Sequence, residues 1–262
     1  MPKLETSCPI IEVNYQQHVA TITINNQSRH NIMTRAAWEA IPPAMSEIQQ
    51  LPDIRLVLIR GAGEKAFVAG ADISEFDDAF SGPSGMDYDA ATVNAFQAMT
   101  KCPIPTLAAI RGYCIGGGLG LALGCDIRIA SDDSTFGIPA GRLGLAYPVQ
   151  AIHRLSHIVG SANAKDIVFS AERFSAAEAY AKGLINRVYA VSDFEEKLTQ
   201  YCAQICLNAP LSLKAAKFSI SEGQTGDVEK MNTLAIQCLS SEDYAEGRAA
   251  FKEKRKPQFK GK

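Results

Sequence analysis

The segment that most constrains the fold of this chain is RGYCIGGGLGLALGCD, Arg111 to Asp126. Between its two charges lie fourteen uncharged residues, six of them glycine. Arg111 closes an apolar strand, and Leu119 to Leu123 can begin a helix. A strand joined to a helix through Gly116, Gly117 and Gly118 leaves amide N–H groups unpaired at a helix N-terminus, where the helix dipole adds partial positive charge. With no Cβ in the way, a ligand can approach that backbone closely. Such a junction suits an anion or a developing oxyanion. A phosphate loop would place a Lys after its glycines, and none follows here. For a dinucleotide fingerprint the glycines come too late in the chain and are wrongly spaced. Close packing of helix on strand is the purely structural alternative, and the segment alone leaves it open.

The surrounding pattern is α/β. IIEVNYQQHVATITI alternates apolar and polar residues across a polar break and predicts a hairpin over about 10–24. A helix is expected over 34–50 with Thr34 as its N-cap, and a buried strand over 54–61. GAGEKAFVAGAD is a loop ending near Asp72, which is placed to cap a following helix. FSGPSGMDYD is polar and rich in Gly and Ser, which predicts mobility, and a helix follows over 88–101. TLAAIRG and DIRIA are further strands, STFGIPAGRLGLAYP is irregular, and helices are expected over 148–159 and 162–170. SAAE and SDFE carry capping-box spacing, so helices should start at Ser175 and Ser192. The last ~60 residues have helical periodicity almost throughout. A core domain over 1–200 with a helical region over 201–262 is the simplest organisation.

The formal charge of −2 gives no electrostatic case for nucleic acid or an anionic membrane surface as partner, and no basic stripe interleaved with aromatics is present. The glycine segment is too short to span a bilayer. The basic end KEKRKPQFKGK is either a solvated tail or a local anion site. Seven cysteines, an odd number with no C-x-x-C pair, argue against a disulfide framework or a metal site and for a reducing cytoplasm. MPKLETSCPII shows no apolar stretch followed by a cleavage site, so no signal peptide is expected.

AFVAGADISEF (66–76) and PTLAAIRGYCIGGGLGLALGCDIRIAS (105–131) together resemble the paired signature of the crotonase (enoyl-CoA hydratase/isomerase) superfamily. TFGIP, RLGLAY, FSAAEAYAKGLINRV, NAPLSLKAAK and AFKEKRKPQF extend the resemblance over essentially the whole chain. The resemblance implies an α/β fold, a ClpP-like spiral of ββα turns, with a C-terminal helical region that drives trimer formation, trimers pairing as hexamers. It implies an acyl-CoA thioester as substrate, with no metal and no cofactor apart from the coenzyme A of the substrate. Two backbone N–H groups that hold the thioester oxygen in the family map to Ala71, in AGAD, and to Gly117, the middle glycine of the run, with Gly116 beside it. CoA would contact the loop Arg29-His30-Asn31 and the backbone around Ala69, with Asp72 closing the same loop. Phe251 and Lys254 match a Phe and a Lys that touch CoA in the family, often from a neighbouring subunit. That match gives the basic end its sharper role.

The chain departs from the family pattern where the family hydratases carry their two glutamates. The first, in GGGxE, is Gly120 here, and the second, in FGxPE, is Ala140. Neither residue can transfer a proton, and a positioned acid or base contributes ~10²–10⁴-fold each. Ordinary hydration is therefore not expected. RLGLAYPVQAIHRL offers Tyr147, where some family members place their catalytic group, and His153, a common type of proton shuttle. Arg142 offers a cation for a second carboxylate. A methylmalonyl-CoA decarboxylase of the superfamily resembles this chain around Tyr147 and in SEDYAEG (241–247), but it carries a His at the place of Ala71 and a Glu at that of Gly120. A family dehalogenase shares the GGGLG run, yet uses an Asp near Pro148 that this chain lacks. Loss of CO₂ generates an enolate without any base, so decarboxylation is the favoured expectation. Glu75, Asp77 and Asp78 offer acids to a hydrolase or isomerase, and a hydratase or isomerase of fatty-acid metabolism using other acid and base residues, Tyr147 or His153 among them, is one alternative. A non-catalytic acyl-CoA-binding protein is the other.

Overall fold

The computed structural model describes residues 2–75, 83–223 and 226–262, and for 83–87 the backbone alone. The alternating segment near the N-terminus forms the hairpin β2 (Ile11–Gln16) and β3 (Val19–Ile24), with β1 (Lys3–Leu4) at its edge. Ile11 and Val13 on one strand and Ala20, Ile22 and Ile24 on the other are buried, the period of two that a half-buried strand requires. The helix α1 (Arg35–Ile48) follows, and the Thr34 hydroxyl caps it by accepting the N–H of Ala37.

From there one unit recurs. β4 (Leu56–Gly61) lies in a first sheet, β5 (Ala66–Val68) in a second, and α2 (Pro83–Lys101) returns the chain. β6 (Thr106–Ile110), β7 (Tyr113–Ile115) and α3 (Gly117–Gly124) make the next turn. β8 (Ile127–Ser131), β9 (Thr135–Gly137) and α4 (Val149–Ser170) make the third. β10 (Phe174–Ser175), α5 (Ala176–Ala181) and β11 (Arg187–Tyr189) close the series. The first sheet runs β1-β2-β3-β4-β6-β8-β11 and the second β10-β9-β7-β5. Within each sheet the strands of successive turns pair in parallel, apart from β10, which pairs antiparallel with β9. This is the expected spiral of ββα turns.

Several boundaries differ from the sequence reading. The helix expected over 88–101 starts at Pro83, so much of the stretch expected to be mobile is helical, and the rest of it lies outside the described residues. The two helices expected over 148–170 form one run broken at Gly160 (φ 77°, ψ 159°). The irregular stretch after β8 contains β9 and a 3₁₀ turn, Pro139–Leu143. Ser175 makes its capping box with Glu178, the hydroxyl accepting the Glu178 N–H while the Glu178 carboxylate accepts that of Ser175. Ser192 caps no helix among the described residues. It sits in the 3₁₀ turn Val191–Asp193, its hydroxyl bonded to Asp193, and α6 (Phe194–Cys206) begins beyond it.

The main core gathers Trp38, Phe67 and Phe136 between the layers. A second cluster sets Phe194, Leu198 and Cys202 of α6 against Leu56, Leu58, Leu107 and Ile129 of the first sheet. A boundary at residue 200 therefore cuts through α6, whose apolar face belongs to the core. The remaining helices, α7 (Pro210–Glu222), α8 (Val228–Leu239) and α9 (Glu242–Glu253), bury little and expose Ile220, Ile236, Leu239 and Phe251. The basic end is tied down rather than free. The buried Asp243 carboxylate accepts the N–H groups of Lys260 (2.6 Å) and Gly261 (2.9 Å). Arg255 grips Glu246 with two bonds of 2.6 and 2.8 Å, and this pairing holds the Glu246 carboxyl down to about 2. Among the described residues, no helix is long and apolar enough to cross a membrane and no cluster of His, Cys, Asp or Glu is arranged to hold a metal.

Candidate active site

The glycine run makes the turn from β7 into α3. Gly116 has φ 53° and ψ −121°, a backbone conformation that a side chain rarely permits, and its N–H is tied to the Gly137 carbonyl at 2.9 Å. At Gly118 a Cβ would lie 2.3 Å from the Val68 carbonyl oxygen, so only glycine lets the start of the helix sit directly on β5. Gly117 is the first residue of α3, and its N–H has no partner one turn back. The loop facing it is held by a parallel bridge between Met33 and Ala71. Met33 N–H donates to Gly70 O and Asp72 N–H donates to Met33 O, both at 2.9 Å, a pattern that leaves the Ala71 N–H unused. A Cβ built on Gly117 would lie 3.8 Å from the Ala71 nitrogen. The two amides are thus neighbours, and no hydrogen bond among the described residues engages either.

Both line a cavity of about 330 Å³ with mostly apolar walls. Ala69, Gly116, Ala140 and Tyr147 also line it, together with Phe96 and Thr92 of α2. The position of Gly120 is decisive. A Cβ there would meet the Phe96 ring at 2.4 Å and the Tyr147 hydroxyl at 2.8 Å. The space where a side chain at 120 would begin is already filled, and Phe96 is itself braced edge-on by Trp38. The Tyr147 hydroxyl donates to the Gly116 carbonyl at 2.8 Å, and burial pushes its phenol far above the usual range. Tyr147 is therefore a neutral group that locks the glycine turn. Tyr88 is equally committed. It donates to Met33 O, accepts the Trp38 indole N–H at 3.2 Å, and is pushed up to about 12, chiefly by burial.

Other sequence candidates fall elsewhere. Asn31 is buried, with its amide nitrogen bonded to Ala62 O and Ala66 O and its amide oxygen bonded to Asn26 N–H. It staples its loop and presents nothing to a ligand. Asp72 is buried against Arg29, which grips it with two bonds of 2.5 and 3.0 Å, and it also accepts from Ser74. The Arg29 guanidinium and the Ser74 donors hold its carboxyl below the usual range against the opposing effect of burial. Asp72 joins the two loops rather than facing the cavity. His30 is exposed beside Tyr113, its ring edge-on at 5.9 Å. His153 is exposed and does not line the cavity, because α4 buries Ala151 and Leu155 and turns His153 away. Arg142 is exposed on the 3₁₀ turn and also lies outside the cavity lining. Phe251 and Lys254 stand at the end of α9, both exposed, with Phe251 in a separate groove beside Leu239 and Phe259. Glu75 accepts the Arg35 N–H at the start of α1, while Asp77 and Asp78 lie outside the described residues.

The sequence reading missed Asp89. Among the described residues it is the one carboxylate lining the cavity. Its spacing to Thr92 and Phe96, i+3 and i+7, places all three on one helical face, and that spacing was the available signal.

The spiral of ββα turns, with a glycine-started helix set against the AGAD loop, is the crotonase architecture. The enoyl-CoA hydratase/isomerase family model matches residues 14–262, and the chain belongs to that family. It is 34% identical over 244 residues to a short-chain-enoyl-CoA hydratase of Clostridium acetobutylicum, covering 91% of this chain and 92% of that protein. It is 31% identical to the mouse mitochondrial Delta(3,5)-Delta(2,4)-dienoyl-CoA isomerase, covering 92% of this chain and 78% of the relative. The crystal structure of an enoyl-CoA hydratase/carnithine racemase from Magnetospirillum magneticum superposes with a TM-score of 0.93 at 33% identity, covering 98% of this chain and 97% of that one.

Proposed function

We propose that this chain is an acyl-CoA enzyme that holds the thioester carbonyl oxygen between the N–H groups of Ala71 and Gly117. Charge that develops on that oxygen in an enolate meets two donors already in place. Losing one such donor costs about 3 kcal/mol in comparable sites. Tyr147 fixes the Gly116 turn and so sets where the Gly117 amide points. Arg29 and His30 are exposed on the loop that Asp72 joins to the AGAD segment, which supports a role in taking the CoA moiety, and the exposure of Phe251 and Lys254 supports one in taking that of a neighbouring subunit. The apolar faces of α7 to α9 fit burial against further copies in a trimer. The free thiols, buried except for the half-buried Cys238, fit a reducing cytoplasm.

The favoured chemistry is loss of CO₂ from a malonyl-type thioester. The observation that carries this is Gly120, where the space for a proton-transferring side chain is taken by Phe96 and Tyr147. With Ala140 at the second position, the two-carboxylate route to hydration has neither of its groups. In the breaking C–C bond the electron pair passes to the oxygen held by the two amides, and no base is needed. Removing a carboxylate from water into an apolar cavity also favours its conversion to neutral CO₂. The test is a panel of thioesters followed by mass spectrometry. Methylmalonyl-CoA should lose the mass of CO₂, and crotonyl-CoA should not gain water at an enzymic rate. Rapid hydration of crotonyl-CoA would overturn the decarboxylase assignment.

A further inference from the structure

An enolate must be protonated at carbon before product can leave, and the cavity holds few groups able to do it. Its described titratable side chains are Tyr88, Tyr147 and Asp89. The two phenols are excluded by their hydrogen bonds, which commit each proton to a backbone carbonyl, Met33 O for Tyr88 and Gly116 O for Tyr147. Asp89 differs on both counts. It is exposed and lines the cavity, which puts it at the solvent rim, and its carboxyl makes no hydrogen bond or ion pair among the described residues.

Its position relative to the oxyanion amides follows from the packing of α2. Tyr88, its neighbour in sequence, accepts the Trp38 indole N–H, and the Trp38 ring lies 3.0 Å from where a Cβ on Gly117 would stand. Trp38 thus bridges the first turns of α2 to the Gly117 amide. Further along α2, Phe96 closes the space over Gly120. Phe96 and Asp89 thus line the same cavity as the two amides, on one face of α2.

We propose that Asp89 is the catalytic group that exchanges a proton with the α-carbon of the bound thioester; the proposal rests on the enolate reading above. After CO₂ leaves, the protonated carboxyl of Asp89 gives its proton to the α-carbon. A C–H bond forms, the carboxyl O–H bond breaks, and the electron pair returns from the enolate oxygen to re-form the carbonyl. The Asp89 carboxylate then takes a proton from water at the rim. Partial desolvation at the cavity rim raises the Asp89 carboxyl above its ordinary value, the direction that favours proton donation. In reverse, with a saturated thioester, the carboxylate removes an α-proton and the electron pair moves onto the oxygen between Ala71 and Gly117.

The reverse step supplies a test that does not depend on the natural acyl group. Butyryl-CoA is incubated with the whole protein in D₂O, and deuterium at the α-carbon is followed by mass spectrometry. Wild type should exchange. Asp89→Asn should exchange ~10²–10⁴-fold more slowly, with unchanged Tm and unchanged Kd for butyryl-CoA, and Asp89→Glu should recover part of the rate. Exchange by Asp89→Asn at the wild-type rate would overturn the role of Asp89 and leave the enolate reading standing. Wild type that binds butyryl-CoA without exchanging it would likewise remove Asp89 while preserving thioester binding. Failure of wild type to bind any thioester would instead remove the acyl-CoA reading itself.

Discussion

At Gly120 a single hydrogen atom stands where the family hydratases carry a carboxylate, and the neighbourhood has closed over the gap. Gly120→Glu should therefore not create a hydratase. Its Cβ would press into the Phe96 ring, and overpacking of this kind costs about 1–3 kcal/mol. The expected outcome is a lowered Tm with no gain in crotonyl-CoA hydration; a folded variant that hydrates crotonyl-CoA would show that the space is not filled. Tyr147→Phe removes one of two donors to Gly116 O, which keeps the Gly120 N–H at 3.1 Å, a loss of about 0.5–1.5 kcal/mol. Urea unfolding should register that loss, and turnover should fall with it, because the Gly117 amide loses its brace. Asp72 gives a pH-dependent case. Its folded pKa lies below its unfolded one, so its contribution is complete above the ordinary carboxylate range and is lost as pH falls through the folded value. Asp72→Asn should be less stable than wild type at neutral pH, and the gap should narrow on acidification. A gap that stays constant in acid would contradict the Arg29 pairing as its source.

At the scale of elements, two identical spacings behave differently. SAAE and SDFE both satisfy the capping-box pattern, yet only Ser175 makes the reciprocal bonds. Ser175→Ala should cost about 1 kcal/mol, and Ser192→Ala should stay within about 0.5 kcal/mol of wild type; denaturant midpoints of the two variants would separate them. The difference lies in tertiary context. Ser175 pairs with Thr135 in the second sheet, which sets its backbone for a cap, whereas the chain around Ser192 has already entered a tight 3₁₀ turn. The start of α2 shows the same limit. Its first turns lie in a polar segment with weak helical periodicity, and there the sequence shows no helix before 88.

At the scale of the whole molecule, the C-terminal helices have an apolar face that the described residues of this chain do not cover. Phe251 is 86% exposed at the end of α9. Sedimentation should show a trimer or a pair of trimers, and Phe251→Asp should shift the mass toward the monomer. A monomeric wild type would remove the assembly role of this face. The basic end lies beside the same surface, since it is anchored by Asp243 and Glu246 beside Phe259.

Alternation within strands, caps, and glycines where φ or close approach forbids a side chain let the sequence set out strands, helices and the glycine turn, while the spiral and the pair of amides were legible only through its resemblance to the crotonase superfamily. The Gly117 and Ala71 amides lie side by side at one cavity, and a backbone N–H is positioned by the turn that carries it. Only the tertiary structure decided which side chains meet the cavity beside those two amides. Asn31 and Asp72 turned inward to hold loops, His153 turned outward on α4, Phe96 filled the space at Gly120, and Asp89 reached the cavity rim. Each of these outcomes depends on which face of a helix or loop docks against elements distant in the chain, and residue type and spacing along one segment do not specify that.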